Sequence, residues 1–259
     1  MLKKLIKYDL IWINKFMLIF YIITLIICTL TRIMDNYTQS FIGNIIYLIL
    51  RGCAISCFVS ILINCSIRIW ARFNNSIYKD ESYLTHTLPV KKDTLYNSKV
   101  LSMTISTLIA ITVIIFSILL VFLNKDLINI IKEIFKNKDM TYIYISILII
   151  AVLEIIYMIS CGIIGLLIGN RNNNNKILKT IIIGIVLYFS IQLILLGIIY
   201  LVGLFNTSIN DLFHSNIIIG NNISSVKSLV NLSGAIYIVY LTIMYFVGKH
   251  IFKKGVNVE

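Results

Sequence analysis

The chain has 259 residues, of which 59% are hydrophobic and only 13% charged, and its net charge is +12. Soluble domains are about 45–50% apolar and about 25% charged, and folding hides at most about three quarters of the chain surface. A soluble enzyme, a disordered chain and a disulfide-rich secreted domain are thereby excluded. A bilayer is the natural solvent, and the length holds several spans of about 20 residues but no large soluble domain beside them. The positive charges lie mostly at the ends of apolar runs, so they read as topology signals and lipid-headgroup contacts rather than a nucleic-acid surface.

Residues 1–15 read as an amphipathic interfacial helix. Leu2, Leu5, Ile6, Leu10 and Ile13 recur at helical spacing, with Lys3, Lys4 and Lys7 off that stripe. This helix is expected to lie on one leaflet and then turn into the first span. Six apolar segments of helix length follow, near 16–31, 45–67, 100–123, 141–169, 180–204 and 230–248. The first is too long for a signal-peptide core and no cleavage site follows it, so no cleavable leader is expected. The fold class is therefore all-α integral membrane, with residues 1–259 forming one transmembrane domain. With the N-terminus inside, an even number of spans returns the C-terminus to the same side. Most of the 23 Lys and Arg residues then fall inside, as the positive-inside rule requires. The exceptions are Arg32, Arg51, Lys227 and four lysines between Asn124 and Asp139. Segment 124–140, where those lysines alternate with Asp126, Glu133 and Asp139, reads as an extracellular amphipathic helix on the membrane surface.

The cysteines, Cys28, Cys53, Cys57, Cys65 and Cys161, sit in apolar stretches with no CxxC and no metal-ligand spacing to His86, His214 or His250. They read as small apolar filler, and no metal site is expected. Glu154 stands near the middle of the fourth span, where a charge costs roughly 2.5–3.5 kcal/mol on insertion scales. Its readings are a carboxyl paired with Arg51 that fixes helix packing, or a substrate or proton site. Gln192 and Asn64 read as interhelical hydrogen-bonding residues, and Gly165-x-x-x-Gly169 as a close-packing motif. The four asparagines Asn172–Asn175 read as a turn. Segment 205–228 is extracellular in this topology, and its Leu212, Phe213 and Ile217–Ile219 could dip back toward the membrane.

The intracellular loop over 70–98 is the most informative segment. Ile77, Leu84 and Leu88 share one helical edge, Asp80 and Glu81 add charge, and Pro89 stops the helix. The residues alone fit both a short helix docking in a groove of a soluble partner and a plain connector. Within it, Asp80-Glu81-Ser82-Tyr83-Leu84-Thr85-His86-Thr87-Leu88-Pro89-Val90 resembles the acidic-Gly-Tyr-Leu-Thr-x-Thr-Leu-Pro-Val signature of ABC-2 type transporter permeases of Gram-positive bacteria. The opening Leu5-Ile6-Lys7-Tyr8-Asp9-Leu10 is similar to the start of the same proteins, and Lys99 also fits. Ser82 departs from the pattern, which has Gly there.

That resemblance implies the membrane subunit of an ATP-driven exporter in the bacterial cytoplasmic membrane. It implies that Asp80, Glu81, Tyr83, Leu84, Thr85, Thr87 and Leu88 form a coupling helix against a separate ATP-binding subunit, and that 205–228 holds short re-entrant helices. A second permease chain, identical or homologous, completes such an assembly. The chain has no G-x-x-x-x-G-K-[ST] phosphate loop, so it is not expected to be an enzyme or to bind a cofactor. ATP and magnesium belong to the partner. The implied cargo is an antimicrobial peptide, a drug or another amphipathic compound, with lipid-linked material and sodium as further classes. The alternative is a membrane sensor or assembly protein that transports nothing.

Overall fold

The computed structural model describes residues 2–79, 81–87, 89–171, 175–205 and 223–254. Among the described residues there is no strand. Helices α1 (Leu2–Asp35), α2 (Phe41–Ile77), α3 (Ser82–Thr87), α4 (Lys92–Phe122), α5 (Lys125–Lys136), α6 (Lys138–Gly169), α7 (Lys176–Phe205) and α8 (Ile223–Lys253) follow in order. Six of them, all but α3 and α5, are long and apolar enough to cross a membrane. Their outer faces carry exposed Ile, Leu and Phe along most of their length, which water would not tolerate and lipid would. This is the architecture of a multi-pass membrane protein.

Each span is longer than its apolar core predicted, because backbone hydrogen bonding continues past the hydrocarbon edge. The largest difference is at the N-terminus. The separate interfacial helix expected over 1–15 is instead the opening of α1, which runs unbroken through Asp35. No proline or glycine lies at the expected turn, and one buried stripe, Asp9, Ile13, Met17, Thr24, Cys28 and Thr31, continues straight through it. A helix of 34 residues is about 51 Å long, well over the roughly 30 Å of hydrocarbon.

The chain packs as two compact units whose boundary falls inside α5, near Ile128. In the N-terminal unit α1 packs on both α2 and α4, around a core that includes Cys28, Ala54, Phe58 and Val121. The start of α2 is fixed by Ser40, whose Oγ accepts from the Gly43 amide at 3.0 Å. In the C-terminal unit α6 is central and packs on α7 and α8. Its core is Tyr157, Cys161, Ile164, Ile191, Tyr237 and Met244.

A helix, α5, does form within 124–140, with Ile128, Ile131 and Ile134 less exposed than Asn129, Lys132 and Glu133. Residues 138–140 already belong to α6. Of segment 205–228, Phe205 ends α7 and residues 223–228 open α8, while the expected re-entrant part, 206–222, lies outside the described residues. So do Asn172–Asn174. Asn175 has φ 57°, a left-handed conformation that Asn accepts more readily than most side chains, and its carbonyl receives the Lys179 amide at 3.0 Å as α7 begins.

Gly165 and Gly169 do set a close approach, as their spacing suggests. A Cβ on Gly165 would lie 2.6 Å from the Thr180 carbonyl oxygen and 3.2 Å from the Gly184 nitrogen, and one on Gly169 would lie 2.8 Å from the Thr180 nitrogen. The partner helix answers with its own small pair, Thr180 and Gly184, so the α6 and α7 backbones nearly touch. Because the opposing atoms are backbone, they cannot swing aside. Gly165→Ala should therefore lower stability by about 1–3 kcal/mol. Gly197→Ala, where nothing lies within 4 Å of the new methyl, should be neutral or slightly stabilising. Thermal unfolding midpoints in detergent would separate them, and equal midpoints would refute the close-packing role.

Candidate functional site

Two polar clusters interrupt the apolar packing, one in each unit. The first lies in the N-terminal unit where α1 begins, α2 ends and α4 begins. Asp9 of α1 is buried, its side chain 3% exposed. Its Oδ1 accepts from Arg72 Nε at 2.7 Å and from Lys99 Nζ at 2.8 Å. Lys99 is buried too, at 6%, and Arg72 is 13% exposed. Arg72 then donates through Nη1 to Glu81 Oε2 at 2.5 Å. Two cations thus face two carboxylates, and the cluster is neutral. Charges taken out of water require such partners, since the desolvation cost of each ion is several kcal/mol. Aromatic rings close the side toward α1. The Arg72 guanidinium lies 5.4 Å from the Trp12 ring centroid, and that of Arg68 lies 3.5 Å from Phe16 and 5.7 Å from Trp12.

Glu81 is the member that reaches solvent, with 42% of its side chain exposed. It sits at the threshold of α3 and its carbonyl accepts from the Thr85 amide at 3.0 Å and the Thr85 hydroxyl at 2.8 Å. Ser82 is buried. It is the first residue of a regular α-helix, so the position that is Gly in the resembling family needs no left-handed backbone here. Tyr83 and Leu84 point the other way and are 76% and 67% exposed. Thr87 is exposed too, and its hydroxyl bonds back to the Leu84 carbonyl at 3.1 Å. Of the seven loop residues singled out from sequence, then, Tyr83, Leu84 and Thr87 form an outward face. Glu81 ties the helix to Arg72, Thr85 bonds back to the Glu81 carbonyl within the helix itself, and Asp80 and Leu88 lie outside the described residues.

The second cluster is at the centre of the C-terminal unit. Glu154 lies midway along α6, about 23 Å from either end. Its Oε1 accepts from Tyr188 Oη and Gln192 Nε2, each at 3.3 Å. Gln192 also donates to Tyr237 Oη at 3.3 Å, and Tyr157 Oη donates to the Leu187 carbonyl at 2.8 Å. The rings of Tyr157 and Tyr188 stack at 6.3 Å, and Tyr237 meets Tyr157 edge-on. Sequence reasoning placed Glu154 and Gln192 in the membrane interior, and the fold brings them together. Arg51 has a different neighbour within its own unit, its guanidinium lying 4.7 Å from the Phe122 ring centroid. Asn64 does not bridge helices as expected. Its amide bonds one turn back to the Ser60 carbonyl at 2.8 Å.

All five cysteines are free thiols. Among the described residues no three His, Cys, Asp or Glu side chains converge as metal ligands would. In comparisons with protein-family models, with curated proteins and with solved structures, nothing matches this chain.

The burial of the first cluster ranks its members. Asp9→Asn takes the carboxylate from buried Lys99 and leaves Arg72 with Glu81 alone, and should cost about 3–5 kcal/mol, whereas Glu81→Gln, at the solvent edge, should cost about 1 kcal/mol or less. Adding Lys99→Met to Asp9→Asn should cost less than the sum of the single changes, because the stranded ammonium is then gone. A double-mutant cycle on unfolding in detergent measures this, and strict additivity would show that Asp9 and Lys99 do not act as a pair.

Proposed function

We propose that this chain is the permease subunit of an ATP-driven exporter of the ABC-2 type, in a bacterial cytoplasmic membrane with both termini inside. One observation carries the reading. The loop segment that resembles the permease signature forms a short helix, α3, that offers Tyr83, Leu84 and Thr87 outward while Glu81 ties it through Arg72 to Asp9 and Lys99. The stretches that carry the resemblance, around Asp9, Glu81 and Lys99, are thus the ones that meet in one cluster.

A partner ATPase would receive the exposed Tyr–Leu edge in a surface groove, the usual way an amphipathic helix is bound. When ATP binding closes the partner, α3 moves with it. Glu81 then pulls on Arg72, and the movement enters α2 directly and α1 and α4 through Asp9. The spans respond as packed bodies rather than by bending, and the path between two permease chains opens outward. ATP and magnesium act in the partner, since this chain lacks a phosphate loop. The apolar span surfaces suit an amphipathic cargo such as an antimicrobial peptide or a drug.

The test is co-purification. The tagged chain, extracted from its native membranes in mild detergent, should bring a stoichiometric ATPase subunit with it. Tyr83→Ala with Leu84→Arg alters only the outward edge of α3. It should weaken that association at least tenfold, as loss of an interface anchor does, while expression and elution profile stay unchanged. Association undiminished in the double variant would overturn α3 as the docking element. Reproducible absence of any ATPase from the intact wild-type chain would favour the sensor or assembly reading.

A further inference from the structure

Along one side of the C-terminal unit, α6 and α8 run in the same direction. Asp139 meets Lys227 near their starts, and Arg171 reaches the Ile251 carbonyl near their ends. Between them lies a groove of about 350 Å³, at the small end of the range for ligand sites. Its walls change character along its length in the same sense on both helices. On α8 the stripe descends from Lys227 to Asn231, then to Gly234 and Ala235, then to Ile238. On α6 it descends from Asp139 to Tyr142 and Ser146, then to Ile150 and Leu153. The groove lining is thus polar at one end, at Ser146 and Asn231, and wholly apolar at its depth, and one turn beyond the polar end the same two helices carry Lys227, Asp139 and Tyr142.

We propose that this groove is a phospholipid site, with one acyl chain lying along it and the phosphate held at Lys227. Three observations carry the assignment. The run from Val230 to Ile238 covers about 12 Å of helix, close to the roughly 15 Å depth of one hydrocarbon leaflet. The α8 wall is low at mid-length, where Gly234 and Ala235 stand opposite Ile150, whose side chain lies 3.6 Å from the position a Gly234 Cβ would take. The cation at the mouth is available. Lys227 meets Asp139 at 3.3 Å, but both side chains are substantially exposed, and such a bridge exchanges readily for another anion. Nearby groups orient the mouth. Lys227 Nζ sits 4.8 Å from the Tyr142 ring centroid, and Tyr142 Oη donates to Asn231 Oδ1 at 2.6 Å, which links the cation to the groove lining. The proposal needs only a membrane-spanning chain, so it stands or falls separately from the exporter reading.

The full chain is reconstituted in nanodiscs of phosphatidylcholine and phosphatidylglycerol. They are doped with a phosphatidylglycerol that carries a diazirine in its acyl chain. After illumination, adducts are located by peptide mass spectrometry. Adducts should concentrate on 149–153 and 235–238, above those on the exposed α7 positions Ile181 and Ile185, which report ordinary lipid contact. Ala235→Trp, an exposed position on the groove wall, should reduce groove adducts to the α7 level without altering the elution profile. Lys227→Gln should lower the yield about fivefold for the phospholipid probe and leave a diglyceride probe of equal chain length unchanged. Groove adducts no more abundant than those at Ile181 and Ile185 would overturn the site. Equal loss of both probes in Lys227→Gln would overturn phosphate recognition. Protection of the groove by cross-linking to a second polypeptide would assign it to a protein neighbour instead.

Discussion

A single buried carboxylate organises the N-terminal unit. Asp9 is placed by α1 where α2 and α4 each present a cation, and one of its oxygens receives both. None of the three residues would be stable there alone, since each would be an uncompensated charge in an apolar surround. Together they fix the rotation of α1 about its axis, because turning the helix would withdraw Asp9 from both partners at once. The same rotation sets which face of α1 packs inward, and so places Ile13, Met17, Thr24 and Cys28 in the core. The ion cluster makes one arrangement of largely interchangeable apolar surfaces the only one that satisfies its charges.

The C-terminal unit solves the same problem by other means. Its α6 and α7 have almost no amphipathic direction, so shape and interhelical hydrogen bonds select their packing. Gly165 and Gly169 admit the α7 backbone at one level, and Gln192 joins Glu154 to Tyr237 at another, so α6, α7 and α8 are linked by one side chain. In a bilayer the hydrophobic effect does not hold helices together, and close backbone contact and interhelical hydrogen bonds take its place. The two mechanisms give the units different sensitivities: the first to the loss of a charge, the second to the gain of a methyl group.

The parts of this fold legible in the sequence were those encoded within one segment. Six spans follow from apolar runs of sufficient length, the stop at Pro89 from backbone geometry, and the α5 helix from lysines interleaved with Asp126, Glu133 and Asp139. Gly165 and Gly169 could be read as a packing motif, although the answering Thr180–Gly184 pair on α7 was not recognised. What failed was what depends on distant residues. Charge on Lys3, Lys4 and Lys7 suggested a helix lying flat on a leaflet, yet the buried stripe of α1 starts at Asp9, an acidic residue in line with Ile13 and Met17. An acid on an apolar stripe was the available signal that α1 buries a charge from its second turn onward. Arg72 and Lys99 are 63 and 90 residues away from it, a pairing that periodicity cannot reveal. Glu154 reads from the sequence as needing a partner, and of the two it has, Gln192 reads independently as a hydrogen-bonding residue while Tyr188 carries no such signal.

The geometry of Arg72 ties the loop helix to the spans through one side chain. Its Nε is committed to Asp9 and its Nη1 to Glu81, and both belong to one rigid, planar guanidinium. A lysine could follow either carboxylate by rotating its stem, but it could not hold both in a fixed relation. A displacement of α3 therefore has two outcomes. Either Glu81 releases Arg72, leaving a nearly buried cation with only the shared Asp9 oxygen, or the guanidinium follows and carries α2 with it. Glu81 is half-exposed and loses little by release into water, whereas Arg72 and Lys99 would then share one carboxylate in a surround with almost no solvent. The cost of release therefore falls on the buried side, where Arg72 keeps only an oxygen that it shares with Lys99.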